Sequence, residues 1–352
     1  MTASSNTPGR RADQAQSPSL AEELVALLDR SVAQRSRDPL LAAVPLALWN
    51  EALFAPLREF LARPSKGFRA RLVELGYRLA GGEGAAPREL AAIVEGLHAG
   101  SLIVDDIEDE SKLRRDAPCL HRSIGLPLAL NAGNFLYFWP QVLLAHSPLD
   151  AALRLRAHER TAHCLMRCHQ GQALDLSVRV DELARADVPP VAMAIASLKT
   201  GGLLGLAMAL GALAAHADEA RVEALASFGC AIGVGLQMLD DMSGIQNPRR
   251  RSKALEDLHH ARATFVWAWL AEALDDAHYE QLRRELAARR ELGVTEALIE
   301  RLRFRLGVFG TRHVRAHFQR ALAELSATIG DHALFAEFEQ ELLMLERSYV
   351  EA

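Results

Sequence analysis

Apolar residues recur along this chain at intervals of three and four, not two. Ser19 and Glu22 resemble a helix-capping box, and Leu20, Leu24, Leu27 and Leu28 then fall on one helical face. The fold proper is expected to begin there, behind a Ser-, Thr-, Pro-, Arg- and Gln-rich tail over residues 1–18 that is expected to be disordered. After the glycines at 81, 82 and 84, Pro87 can occupy the first turn of a helix. Its Leu90, Ile93, Val94, Leu97 and Leu102 carry that helix to Asp105. Further helical patterns are predicted over about 127–145, 150–180, 190–215, 218–242, 260–292, 294–325 and 332–348, punctuated by Ser147-Pro148, Pro189-Pro190 and Asn247-Pro248. No segment alternates convincingly with period two, and no repeat of 20 to 50 residues is visible. The predicted architecture is all-α, a single domain over residues 19–352.

Composition agrees with the periodicity. Half of the 352 residues are hydrophobic but only 6% are aromatic, and Ala and Leu fill most apolar positions, which favours helix over strand. A formal net charge of -5 supplies no overall basic field for nucleic acid, so an anionic substrate has to be met by local clusters. Cys119, Cys164, Cys168 and Cys230 lack the paired spacing of a zinc site and are expected to be reduced thiols. Thr200 to Ala217 is apolar enough to suggest a membrane span, yet its glycines and the adjacent Lys199 suit a tightly packed core helix better. No charged-then-apolar leader opens the sequence, and a cytoplasmic protein without stable membrane insertion is expected.

Two acidic segments carry the candidate chemistry. In Asp105-Asp106-Ile107-Glu108-Asp109, Asp105 and Asp109 share a helix face about 6 Å apart. Such a face can hold a hard divalent cation that completes its shell with water and phosphate oxygens. Acidic helix ends are also common as solvated surface. Here Leu102, Ile103 and Val104 lead directly into the acids, and Arg114-Arg115 follow within a few residues. A second pair, Asp240-Asp241, ends another apolar helix, with Gln237 one turn before. The candidate metal set is therefore Asp105, Asp106, Asp109, Asp240 and Asp241, facing each other across a bundle to hold Mg2+ on one diphosphate. Lys66, Arg69, Arg114, Arg115, Lys199, Lys253 and Arg262 supply donors for two diphosphates.

These residues resemble those of the trans-isoprenyl diphosphate synthases across nearly all of residues 20–350. The strongest run is Leu97-His98-Ala99-Gly100-Ser101-Leu102-Ile103-Val104-Asp105-Asp106-Ile107-Glu108-Asp109-Glu110-Ser111-Lys112-Leu113-Arg114-Arg115, continuing through Pro118 and His121. It is similar to geranylgeranyl diphosphate synthases, particularly those of fungi and animals. Lys66-Gly67-Phe68-Arg69, Gly171-Gln172-Ala173-Leu174-Asp175-Leu176 and Leu198-Lys199-Thr200-Gly201-Gly202-Leu203 fall in the family's order. The resemblance implies a helical bundle of the isoprenoid synthase type with a central active-site cavity. It also implies a magnesium-dependent condensation of isopentenyl diphosphate with an allylic prenyl diphosphate. On it, Lys66, Arg69, His98 and Arg115 would hold isopentenyl diphosphate; Arg114, Lys199, Thr200, Gln237 and Lys253 would hold the allylic diphosphate. Asp105, Asp109 and Asp240 would bind magnesium directly, Gln172 and Asp175 would line the site, and Asp257 would hold metal-bound water. The family's released pyrophosphate removes the proton, so the resemblance implies no protein base. Dimerisation through helices is also implied, giving a homodimer.

Three positions depart from the family pattern. Gly244 replaces a third acid found in many relatives, Ala261-Arg262 stands for a usual Gly-Lys pair, and Asp116-Ala117 follows the arginines where a glycine is common. Gly100 and Ser101, five and four positions before the first acid, are expected to leave the cavity open and so favour a twenty-carbon product, with Phe135 and Tyr137 as candidate deeper floor residues. Two other readings remain. A class I terpene cyclase would not need Lys66, Arg69, His98 and Arg115 for a second diphosphate; a non-catalytic partner subunit would not need both acid sites intact.

Overall fold

The computed structural model describes residues 19–293, 296–307 and 309–350; the expected tail lies outside the described residues. Helix α1 (Leu20–Gln34) opens on the predicted reciprocal cap. The Ser19 hydroxyl accepts from the Glu22 N–H at 3.3 Å, and the Glu22 carboxylate accepts from the Ser19 N–H at 2.7 Å. Short α2 (Pro39–Ala43) and α3 (Leu46–Trp49) lead to α4 (Ala55–Ala62), and an irregular loop through Lys66 leads to α5 (Phe68–Leu79).

Helix α6 (Arg88–Glu108) has Pro87 at its N-cap and runs one turn past its predicted end, so Asp109 caps it with its N–H on the Asp105 carbonyl at 2.9 Å. The following residues form a small hairpin of β1 (Leu113–Arg114) and antiparallel β2 (Ala117–Pro118), which the periodicity did not announce. Arg115 and Asp116 make its turn at φ of 54° and 60°. A residue with a Cβ is strained there, so the usual glycine is replaced at a conformational cost of about 1 kcal/mol.

Then come α7 (Leu120–Ile124), α8 (Leu126–Ala145), α9 (Ala151–Ser177) and α10 (Val188–Ala196). A π-helical turn, Ser197–Gly201, joins α10 to α11 (Gly202–Ala214), and α12 (Glu219–Gln246) follows. The predicted helix over 260–292 is interrupted. The chain forms α13 (Arg251–His259), turns through Ala261 at φ 52°, and continues as α14 (Phe265–Ala273) and α15 (Asp276–Leu292), the last capped by Asp275. The pattern over 294–325 also divides, at Gly307 (φ 48°), into α16 (Glu296–Leu306) and α17 (Phe309–Ile329); α18 (Ala333–Val350) closes the bundle.

Helix α11 lies between α5 and α12, and every residue from Leu203 to Leu213 is buried. The apolar stretch is thus covered by neighbouring helices, as its glycines suggest. A Cβ on Gly211 would overlap the Val73 carbonyl of α5, so only glycine permits this backbone approach. A second apolar cluster joins α1 and α4 to α6 and α8. Helix α6 belongs to both cores, which fixes the end that carries its acids.

Candidate active site

Four helix segments deliver polar groups to one place: the end of α6, the end of α9, the π-turn before α11 and the last turns of α12. Asp105 accepts from Gln172 Nε2 at 3.1 Å and lies 3.6 Å from Lys199 Nζ, which also pairs with Asp175 at 2.5 Å. Burial would push Lys199 down, but Asp175 and Asp105 outweigh it and hold the ammonium above its ordinary value. Asp175 is pushed up by burial and more than compensated by Lys199 and Arg262, so it stays low. Asp109 pairs with Arg262, whose guanidinium also reaches the Asp175 carbonyl. Burial, reinforced by Asp105, raises Asp109 in spite of that partner.

Across the site, Asp240 pairs with Arg250. Lys253 holds Asp257 at 2.9 Å, and its charge acts on both Asp240 and Asp109, linking the two acidic segments. Thr200 donates to Gln237 Oε1 at 2.8 Å, and Gln237 Nε2 donates to Asp241 at 2.8 Å.

A second, basic cluster adjoins the acids. Arg69, His98 and Arg115 lie close enough to act on one another's charge, together with the buried Glu95, which is 4% exposed and has one oxygen without a partner. Burial, then Arg69, Arg115 and Arg114, pushes His98 well below its ordinary value, so it is neutral at pH 7. Burial also lowers Arg69 and Arg115. Arg115 donates to the Arg63 carbonyl at 3.2 Å, while Arg63 donates to the carbonyls of Arg114 and Pro118, tying the hairpin to the end of α4. Lys66 lies 4.7 Å above the ring of Tyr349.

Several expectations are corrected. Asp106 and Asp241 were placed in the metal set, but both side chains turn into the protein. Asp106 is fully buried and accepts from Arg114 Nε at 2.8 Å, and Asp241 accepts from Gln237 and from the Phe265 N–H at 2.8 Å. Two consecutive helix residues point about 100° apart, and here the first of each pair, Asp105 and Asp240, stays partly exposed while the second is buried. Arg114 is correspondingly paired with Asp106, with Asp105 4.0 Å away.

Gly100 does not open a cavity either. A Cβ there would come within 2.9 Å of Leu136 and 3.0 Å of the Gly133 carbonyl, so the missing side chain admits α8. Phe135 packs edge-on against Phe54 in the smaller core, whereas Tyr137 lies beside the acids, its ring 5.2 Å from that of His169. Gly244 has the same packing role as Gly100: its Cβ would meet the Ala254 N–H at 3.0 Å, so a third acid would displace α13, the helix that carries Lys253 and Asp257.

Sequence reasoning missed Glu95, Arg250 and Tyr349. An acid inside the apolar run Ile93-Val94-Glu95 was a legible signal for the first. Arg250 was hidden in the run Arg249-Arg250-Arg251, and nothing local marks Tyr349.

Asp105, Asp109 and Asp240 are each paired with a cation of the chain, and Lys253 acts on both Asp109 and Asp240. Among the described residues no group of three or more His, Cys, Asp or Glu side chains stands close enough together to hold a metal ion by itself. Hard carboxylate oxygens with open positions fit a magnesium ion that takes its other ligands from water and phosphate.

Residues 50–301 match the family model described as polyprenyl synthetase. The chain is 31% identical over 225 residues to a geranylgeranyl pyrophosphate synthase of Gibberella zeae, covering 63% of this chain and 58% of that protein. It is 29% identical over 184 residues to a geranylgeranyl diphosphate synthase of Sulfolobus acidocaldarius, covering 51% and 54%. It thus spans little more than half the length of these curated relatives. A crystal structure of geranylgeranyl pyrophosphate synthase from Corynebacterium glutamicum, complexed with isoprenyl diphosphate and magnesium, has the same fold. The TM-score is 0.71 at 21% identity, with 94% of this chain and 98% of that one covered. A polyprenyl synthase from Caulobacter crescentus, complexed with calcium and isoprenyl diphosphate, superposes with a TM-score of 0.67 at 24% identity, covering 88% and 89%.

Proposed function

The chain belongs to the polyprenyl synthetase family, and from that premise we propose that it condenses isopentenyl diphosphate with an allylic prenyl diphosphate, giving a longer linear prenyl diphosphate of twenty carbons. The observation that carries this reading is the pairing of one acidic face with two separate basic sets. Lys199 and Lys253 lie among the acids, while Arg69, His98 and Arg115 form a separate cluster beside them. A cyclase would have no use for the second set.

Asp105, Asp109 and Asp240 would hold magnesium, which when bound neutralises the departing diphosphate. Lys199, Thr200, Gln237 and Lys253 orient that allylic diphosphate. Gln172 and Asp175 fix Asp105 and Lys199 in register, and Arg262 serves Asp109 in place of the usual lysine. Lys66, Arg69 and Arg115 bind the diphosphate of the second substrate, and neutral His98 adds a donor without adding charge. The fungal and archaeal relatives named geranylgeranyl synthases support the twenty-carbon product.

A cytoplasmic homodimer is part of the same proposal. Phe138 and Val142 are exposed on one side of α8, and Leu155 and Met166, three turns apart, are exposed on one side of α9. Light scattering after gel filtration tests the dimer.

The activity is tested by incubating the protein with magnesium, isopentenyl diphosphate and, in turn, dimethylallyl, geranyl and farnesyl diphosphate, with mass spectrometry before and after phosphatase. Linear prenyl alcohols that appear only after phosphatase and only with isopentenyl diphosphate are the expected outcome. Hydrocarbon formed without isopentenyl diphosphate would make the protein a cyclase, and no turnover would point to a partner subunit.

A further inference from the structure

Tyr349 lies near the end of the last helix, nearly three hundred residues from Lys66, yet its ring is shared by two cations. Lys66 Nζ lies 4.7 Å from the ring centroid and the Arg250 guanidinium carbon 4.5 Å from it. This placement is built into the bundle. Arg71 of α5 pairs with Glu337 and Glu341 of α18, each at 3.0 Å; Phe338 is buried between Phe68 and Phe228; and the Asn247 amide donates to the Tyr349 carbonyl at 3.3 Å, next to the end of α12. The Tyr349 hydroxyl is pushed up by burial and by the Asp240 carboxylate, and it also feels Arg250 and Arg69. One aromatic side chain thus stands where the metal-side acid and the basic cluster meet.

Lys66 needs such a support. It projects from the irregular loop between α4 and α5, and among the described residues it forms no ion pair. A free lysine has four rotatable bonds to order when it meets a phosphate. An aromatic face attracts an ammonium without neutralising it, so it can fix the side chain and still leave its charge for an anion. A carboxylate in the same place would hold Lys66 but cancel its use.

We propose that Tyr349 is a positioning residue for the isopentenyl diphosphate pocket, its ring presenting Lys66 to the diphosphate. The inference rests on the function proposed above for its choice of ligand, but its test does not require turnover.

Calorimetric binding of isopentenyl diphosphate is compared for wild type, Tyr349→Phe and Tyr349→Leu, with Tyr349→Gln replacing the leucine variant if that fails to fold. Loss of the ring should weaken binding on the order of tenfold, and phenylalanine should restore it to within about twofold, because the ring and not the hydroxyl holds the ammonium. In a Lys66→Ala background the leucine change should cost little further, since its effect runs through that lysine. In turnover, Tyr349→Leu should raise KM for isopentenyl diphosphate while kcat and the allylic KM stay within about twofold. A helix-packing role would instead lower the melting temperature and follow side-chain volume. Wild-type affinity in the leucine variant, equal losses in Phe and Leu, an undiminished loss without Lys66, or a wild type that does not bind isopentenyl diphosphate would each overturn the inference. Binding without any prenyl product would remove the proposed function and leave this comparison standing.

Discussion

The two acidic helix ends of this protein solve the same problem with different partners. On α6 and on α12, the first aspartate of each adjacent pair faces the site and the second turns inward. The inward Asp106 takes a guanidinium, Arg114, while the inward Asp241 takes neutral donors, the Gln237 amide and the Phe265 N–H. Asp241 also lies near Asp257 and Asp240, and burial with those neighbours pushes it up to about 8. A run of adjacent acids is therefore not a run of metal ligands. One member binds outward, and the other anchors the helix end through whatever partner the surrounding chain supplies.

The sharpest way to break this comparison is to exchange outward and inward members. Asp105→Asn or Asp240→Asn should reduce condensation by about two to three orders of magnitude, with melting little changed, because each removes a charge aimed at the metal and diphosphate. Product formation at saturating magnesium reads the first effect and calorimetry the second. Asp106→Asn should do the reverse and destabilise the fold by about 3 kcal/mol, since it leaves Arg114 beside a fully buried site without its counter-charge. Denaturant unfolding measures that cost; a variant as stable as wild type but inactive would return Asp106 to the metal set.

Gly244→Asp sharpens the comparison from the other side. If the missing third acid were only a lost ligand, restoring it would tighten magnesium binding. The structure predicts a loss of about 1–3 kcal/mol and no gain in affinity, because the new Cβ meets the backbone of Ala254. Melting together with magnesium titration distinguishes the two.

Much of this arrangement was legible in the sequence, for identifiable reasons. Periodicity located α6, α8, α9 and α12, because an apolar face every three to four residues is what packing requires. The facing members Asp105, Asp109 and Asp240 were visible as acids ending apolar helices. What periodicity could not show was direction. Asp106 and Asp241 look the same as their neighbours until the helix rotates them inward, and Gly100 looks like open space until α8 fills it. Contacts between segments were also beyond reach: Arg250 meets Asp240 only because the chain turns back after α12, and Tyr349 lies over Lys66 only because α18 returns to the start of α5. The break after α13 depends on Ala261 in a left-handed conformation, for which alanine gives no cue.

The smallest expected effect concerns the inward acid on α12. Both Asp241 oxygens accept hydrogen bonds in the ionised arrangement, from Gln237 Nε2 and from the Phe265 N–H, while Thr200 donates to the far end of the same Gln237 amide. Protonation reverses the chain without breaking it. Asp241 can donate to Gln237 Oε1 once that amide turns over, and its Nε2 then donates to the Thr200 oxygen. With a folded value of about 8 against an ordinary 3.8, the folded metal-free protein keeps a proton that the unfolded chain releases. This contribution to stability is complete below about pH 4 and is lost as the pH rises toward 8. Asp241→Asn mimics the protonated, reversed chain at every pH. It should stay within about 1 kcal/mol of wild type near pH 5 and gain relative to it as the pH approaches 8. Melting temperatures of both proteins in chelator, from pH 5 to 8.5, give the test: converging curves at low pH and diverging ones at high pH are expected. Parallel curves would mean that neutral donors hold an ionised Asp241 as well as Arg114 holds Asp106, and the contrast between the two helix ends would be one of geometry alone.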